Sequence, residues 1–140
     1  MEERAHVPDT AETTITLPAE PASAARAREF VRSLLRRSRH KALEDAALLC
    51  VSELVANVSV HTRSKQCVIT LVDEPDDVII EVADEANEPP VLQKDGQQSD
   101  HGRGLHIIEA LAGEWGVRQR PDDGKSVWLR IFETGQGRGA

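Results

Sequence analysis

Glu53 and Asn57 stand four residues apart in the run Ser52-Glu-Leu-Val-Ala-Asn57, within the most apolar helical stretch of the chain. That spacing puts a carboxylate and an amide on one side of a helix, about 40° apart, at the border of its buried stripe. Next to a bound phosphate, such a carboxylate is able to take a proton from an incoming hydroxyl or water, and an amide oxygen is a hard ligand suited to Mg²⁺. The same pair also fits a local hydrogen bond at a solvent edge. A second candidate is Asp100-His-Gly102-Arg-Gly104-Leu105. Glycines at a helix start let a ligand approach the backbone, and the free N–H groups of the first turn attract phosphate oxygens. Two glycines easing a loop into a helix would read the same way. The run is not a dinucleotide fingerprint, because Ile107 holds the third glycine position, and it is not a P-loop, because no Gly-Lys-Ser/Thr follows. The third candidate, Asp84, ends a run of Val and Ile. It is either a turn or cap residue or, if buried, an acceptor for the exocyclic amine of a purine.

The elements that must position these residues follow from periodicity. Alternation over 12–17 before Pro18 predicts a short edge strand. Ala27, Phe30, Val31, Leu34 and Leu35 form the stripe of an amphipathic helix over about 21–37, with arginines on its wet face. A second helix, over about 43–61, carries Leu43, Ala47, Cys50, Leu54 and Val58 as one stripe and is apolar nearly all round, as expected of a helix pressed into the core. Runs at 67–72 and 78–83, separated by Asp73-Glu-Pro-Asp-Asp77, predict an antiparallel hairpin. Residues 85–101 lack periodicity and are expected to form a lid. A third helix from about Gly102 should bury Leu105, Ile108, Leu111 and Ala112 and stop at Gly113, followed by a second hairpin from 115–120 and 126–132 around Pro121-Asp-Asp-Gly124. The order βααββ(lid)αββ predicts an α+β fold: a two-layer α/β sandwich, its sheet mixed but mostly antiparallel, with the helices on one face. Residues 1–11 and 134–140 are expected to be flexible, leaving a single domain at 12–133.

Composition bounds what that domain does. At 140 residues the chain is long enough for one core, and no apolar run approaches the ~20 residues that span a bilayer. Its 17 basic and 24 acidic residues give a net charge of −7, against broad attraction to nucleic acid or anionic lipid. Seven of the basic residues fall between Arg26 and Lys41 (Arg26, Arg28, Arg32, Arg36, Arg37, Arg39, Lys41), with Glu29 as the sole acid there. This basic patch reads as a solvated helix face or a docking surface for an acidic partner, since no aromatic interleaves the arginines. Cys50 and Cys67 are flanked by apolar residues and read as buried thiols. His101 and His106 have no acidic or cysteine partner at ligand spacing. The charged start, Met1 to Thr10, lacks the apolar segment of a secretory signal, so a cytoplasmic location is expected.

Taken in order, Glu53-x-x-x-Asn57, Asp84 after a strand, Gly102-x-Gly104 at a helix start and Gly124-Lys-Ser126 entering the last strand resemble the ATP-binding fold shared by gyrase, histidine kinases and mismatch-repair ATPases. The likeness covers roughly Thr13 to Glu133. Within that superfamily, the short length and the run from Gly102 through Ala110-Leu-Ala-Gly-Glu-Trp-Gly116 are similar to the small actinobacterial anti-sigma-factor serine/threonine kinases. The resemblance implies ATP and Mg²⁺ as cofactors. It implies Glu53 as the general base, Asn57 as the magnesium ligand and Asp84 as the adenine-reading carboxylate. Gly102, Arg103, Gly104 and Leu105 would line the triphosphate, and Ser126 would lie near the adenine end. The partners implied are a sigma factor, an antagonist protein that is phosphorylated, and a second copy of the chain met through the first strand and helix. Where the family typically has Asp-x-Gly-x-Gly, this chain has Asp84-Glu-Ala-Asn-Glu88 and then Pro89-Pro90. The missing glycines remove backbone freedom, and Glu85 and Glu88 add negative charge. That departure opens the alternative of a regulator that senses nucleotide, or works without it, and acts by sequestration only.

Overall fold

The computed structural model describes residues 10–61, 65–84, 107–119 and 125–133. The expected lid, the Gly102–Leu105 stretch, the turn at 121–124, residues 1–9 and residues 134–140 lie outside the described residues, whereas Ala11, expected in the flexible start, already belongs to the first strand.

The described elements are β1 (Ala11–Pro18), α1 (Ser23–Leu35), a short 3₁₀ turn (Lys41–Leu43), α2 (Glu44–His61), β2 (Gln66–Asp73), β3 (Asp77–Asp84), β4 (Glu114–Gln119) and β5 (Lys125–Phe132). Residues 107–111 are also helical. The strands form one five-stranded sheet in the order β1-β2-β3-β5-β4, and each of its neighbouring pairs is antiparallel. The fold is α+β, with the predicted helices and strands in the predicted order. The 3₁₀ turn is an addition that periodicity over three residues cannot signal.

Strand alternation decides which side chains meet the helices. On β3, Val78, Ile80 and Val82 are buried, and on β5, Val127, Leu129 and Ile131. They join Val51, Leu54, Val55 and Val58 of α2, Val31 and Leu35 of α1, and Ile108 and Ala112 in one core. The Ser23 hydroxyl donates to the Pro18 carbonyl at 2.6 Å, which ties the start of α1 to the end of β1. Arg28 Nη1 donates to Ser52 Oγ at 3.0 Å, joining α1 to α2. The basic face of α1 is partly neutralised in place: Arg32 pairs with Glu29 at 2.6 Å, and Arg32 and Arg36 both approach Glu44, at 3.8 and 3.6 Å.

The direction of α2 across the sheet is fixed at both ends. Four residues separate its last residue, His61, from Gln66 at the start of β2. Such a link spans under ~20 Å, whereas an eight-residue strand is ~26 Å long, so the C-terminal end of α2 lies over the start of β2. At the other end, His40 precedes α2 and is 1% exposed. Its Nδ1 bonds the Glu133 carboxylate, and its Nε2 bonds the Glu74 carbonyl at 2.5 Å, with Asp73 Oδ1 at 3.6 Å. Both ring nitrogens face acceptors, and only the imidazolium has two N–H groups to donate. Burial alone would lower the His40 pKa, but the Glu74 carbonyl, Glu133 and Asp73 outweigh it and raise it above 6.5.

A raised histidine pKa stabilises the fold below 6.5, and the contribution is lost as pH climbs through the folded-state value. Urea midpoints of the native chain should therefore fall between pH 6 and 8. His40→Ala should be less stable and flat over that range. Equal slopes for the two proteins would show that His40 is not held as the cation.

Candidate functional site

The register of β2, β3 and β5 builds one end of the sheet from three polar or titratable residues. Asp84 is the Cα partner of Cys67 on one side and of Lys125 on the other. Asp84 and Lys125 share the parity of the core stripe, Val82 on β3 and Val127 on β5, so their side chains stand on the helix-covered face. Lys125 Nζ lies 3.5 Å from Asp84 Oδ1, with the two side chains 5% and 6% exposed. Lysine is rarely buried this deeply unless it is paired.

Above this end runs the C-terminal half of α2. Asn57 is 8% exposed, among Leu54, Val55 and Val58 of the core. Glu53, one turn earlier, is half-buried. Its charge is felt locally: burial first, and then Glu53, push the Cys50 thiol up to about 12. The Cys67 thiol is likewise raised, by burial first and then by the Asp84 carboxylate beside it. Both cysteines are free and buried, as the sequence predicts.

The fold therefore brings Glu53, Asn57 and Asp84 toward the same end of the helix-covered face. Ser126 does not join them. It pairs with Ala83, one residue out of phase with Asp84, and its hydroxyl donates to Glu81 Oε2 on the opposite face. There Arg118 Nη1 also reaches Glu81 Oε2, at 3.1 Å, and the Trp128 indole lies against Gly116, where a Cβ would come within 3.1 Å of the ring. That face carries a separate concavity of about 510 Å³, lined by Thr14, Thr70, Ile79, Glu81, Arg118 and Trp128 among others, and it takes in none of Glu53, Asn57 or Asp84. Gly102, Arg103, Gly104 and Leu105 lie outside the described residues. Motif reading gives Lys125 no role, yet its parity with Val127, Leu129 and Ile131 is enough to turn it toward the core.

Residues 17–131 match the family model described as a histidine kinase-like ATPase domain. The chain belongs to that family. No curated protein matches the chain. Membership supports an ATP-binding, ATPase- or kinase-like function, and it implies ATP and Mg²⁺ as the groups bound. The described residues fit them. A buried carboxylate at a strand end is able to accept a hydrogen bond from a base, and a buried amide one helix face away offers a hard oxygen. Among the described residues no cluster of three or more acidic, His or Cys groups is placed to hold a metal by itself. Also among the described residues, no helix of this ATPase-like domain is long and apolar enough to cross a membrane.

The raised thiol values carry a direct consequence. At pH 8 the native chain should show no rapidly reacting thiol toward Ellman's reagent, with both cysteines slower than free cysteine by about 100-fold or more, and two equivalents should appear on unfolding. A fast equivalent in the native state would mean that one of the two is not buried beside its carboxylate.

Proposed function

We propose that this ATPase-like domain is a cytoplasmic anti-sigma factor and serine/threonine protein kinase. It sequesters a sigma factor and phosphorylates a hydroxyl on a small antagonist protein, acting as a homodimer without direct contact to nucleic acid or membrane. What supports the reading is the topology that sets the C-terminal half of α2, with Glu53 and Asn57, over the end of the sheet where the buried Asp84 closes β3. Phosphoryl transfer asks mainly for positioning and charge neutralisation, so a short set of residues suffices.

In this reading the Asp84 carboxylate accepts a hydrogen bond from the exocyclic amine of adenine. Asn57 offers its amide oxygen to the Mg²⁺ that neutralises the triphosphate. The Gly102-Arg-Gly104-Leu105 segment supplies backbone N–H groups and a guanidinium to the phosphates. Glu53 takes the proton of the antagonist's hydroxyl as that oxygen bonds to the γ-phosphorus and the bond from phosphorus to the β–γ bridging oxygen breaks, leaving ADP. Ser126, turned to the other face, has no place in this set. β1 supports a role in dimer formation because it is an edge strand. Exposed Arg26 on α1, with Arg36, Arg37 and Arg39 just after it, supports docking of an acidic partner.

Transfer of radiolabelled γ-phosphate from ATP to the cognate antagonist tests the reading. Glu53→Ala should slow it by about 10²- to 10⁴-fold while ATP affinity changes little. Undiminished transfer would remove Glu53 from the mechanism. A second reading, sequestration without catalysis, is favoured by the glycine-free run Asp84-Glu-Ala-Asn-Glu88. Calorimetry with ATP and Mg²⁺ separates them: no heat at millimolar nucleotide favours a nucleotide-free binder, and micromolar binding without turnover favours a sensor.

A further inference from the structure

The buried Asp84–Lys125 pair is not needed to hold the sheet together, since the register of β3 and β5 continues for seven further residue pairs beyond it. It sits at the last rung, on the helix-covered face, where the proposed base would be read. A buried ion pair at a strand end is a weak source of stability, because desolvating two charges offsets most of their attraction. Its chemistry at that place is more informative than its energy. One oxygen of Asp84 is engaged by an ammonium, which fixes the orientation of the carboxylate and keeps it a pure acceptor.

We propose that Lys125 is a specificity-determining positioning residue: it holds Asp84 as an oriented anion that accepts from the exocyclic amine of adenine and repels the carbonyl that guanine presents at the same edge. The inference rests on the nucleotide-binding reading above. Adenine carries a donor at its six-position and guanine an acceptor. An ionised carboxylate serves only the first. A carboxyl group without its counter-charge takes up a proton more readily, and its O–H is then able to serve the second. Around Asp84, β5 contributes Lys125, β2 contributes the Cys67 thiol, and α2, packed over the same end, carries Glu53. Lys125 is the only cation among these three groups: the buried thiol is neutral, and Glu53 is a second carboxylate.

The test is competition calorimetry of the full chain with ATP and with GTP, each with Mg²⁺, at pH 5.5, 7 and 8. The native chain should prefer ATP by a ratio that stays flat across this range. Lys125→Met should narrow the ratio by roughly tenfold, and more at pH 5.5 than at pH 8, whereas Lys125→Arg should keep it. If Lys125 were only structural, Lys125→Met would weaken both nucleotides equally and leave the ratio unchanged, which overturns the proposal. A ratio that rises in Lys125→Met also overturns it, because the ammonium would then have been serving the guanine carbonyl itself. If Lys125→Met does not fold, the native chain still decides: a preference for ATP that collapses toward pH 5.5 shows that Lys125 does not keep Asp84 ionised. Failure of the native chain to bind either nucleotide overturns the nucleotide reading itself, whereas binding with an insensitive ratio overturns only the role of Lys125.

Discussion

One constraint underlies the rest of the molecule: α2 crosses the sheet in a fixed direction. The short link to β2 sets its C-terminal end over the start of that strand, and the buried His40 sets its N-terminal end against the β2–β3 hairpin. Because β2 and β3 are antiparallel, the start of β2 is also the end of β3, where Asp84 lies. The polar residues of an otherwise apolar helix are thereby delivered to the polar end of an otherwise apolar strand. Reversing α2 would leave Glu53 and Asn57 nearer the hairpin carboxylates, where neither would have phosphate chemistry to do.

The second constraint is parity. Because side chains alternate across a strand, a step of one residue moves a side chain from the helix-covered face to the opposite face. Lys125 and Ser126 are neighbours in sequence and sit on opposite faces. The first meets Asp84 beneath the helices, and the second meets Glu81 beside Arg118. The two faces consequently carry two polar groups of different kinds. One is a deeply buried pair next to the proposed nucleotide site, and the other is the network of Ser126, Glu81 and Arg118 beside Trp128.

Much of this was legible in the sequence, because the signals were periodic. The stripes of α1 and α2, the two hairpins and the end of β3 at Asp84 all follow from the spacing of apolar residues and from turn clusters, and the α+β class follows from their order. The pair Glu53 and Asn57 was legible as a shared helix face. What escaped depends on contacts between residues distant in the chain. His40 gives no local sign that Glu74 and Glu133 will close around it, since 34 and 93 residues separate the partners. The motif Gly124-Lys-Ser126 implies by resemblance that Ser126 lies near adenine, whereas strand register turns Lys125, and not Ser126, to the face of Asp84.

The central claim is that the nucleotide meets the helix-covered face at the Asp84 end of the sheet. Amide chemical-shift mapping of the ¹⁵N-labelled chain titrated with ATP and Mg²⁺ tests it most directly. The account predicts saturable shifts concentrated at Glu53 to Val58, Cys67, Ala83, Asp84 and Lys125, with Thr14, Thr70 and Ile79 still. Shifts confined to the opposite face around Thr14, Thr70 and Ile79, or none at millimolar nucleotide, would contradict it.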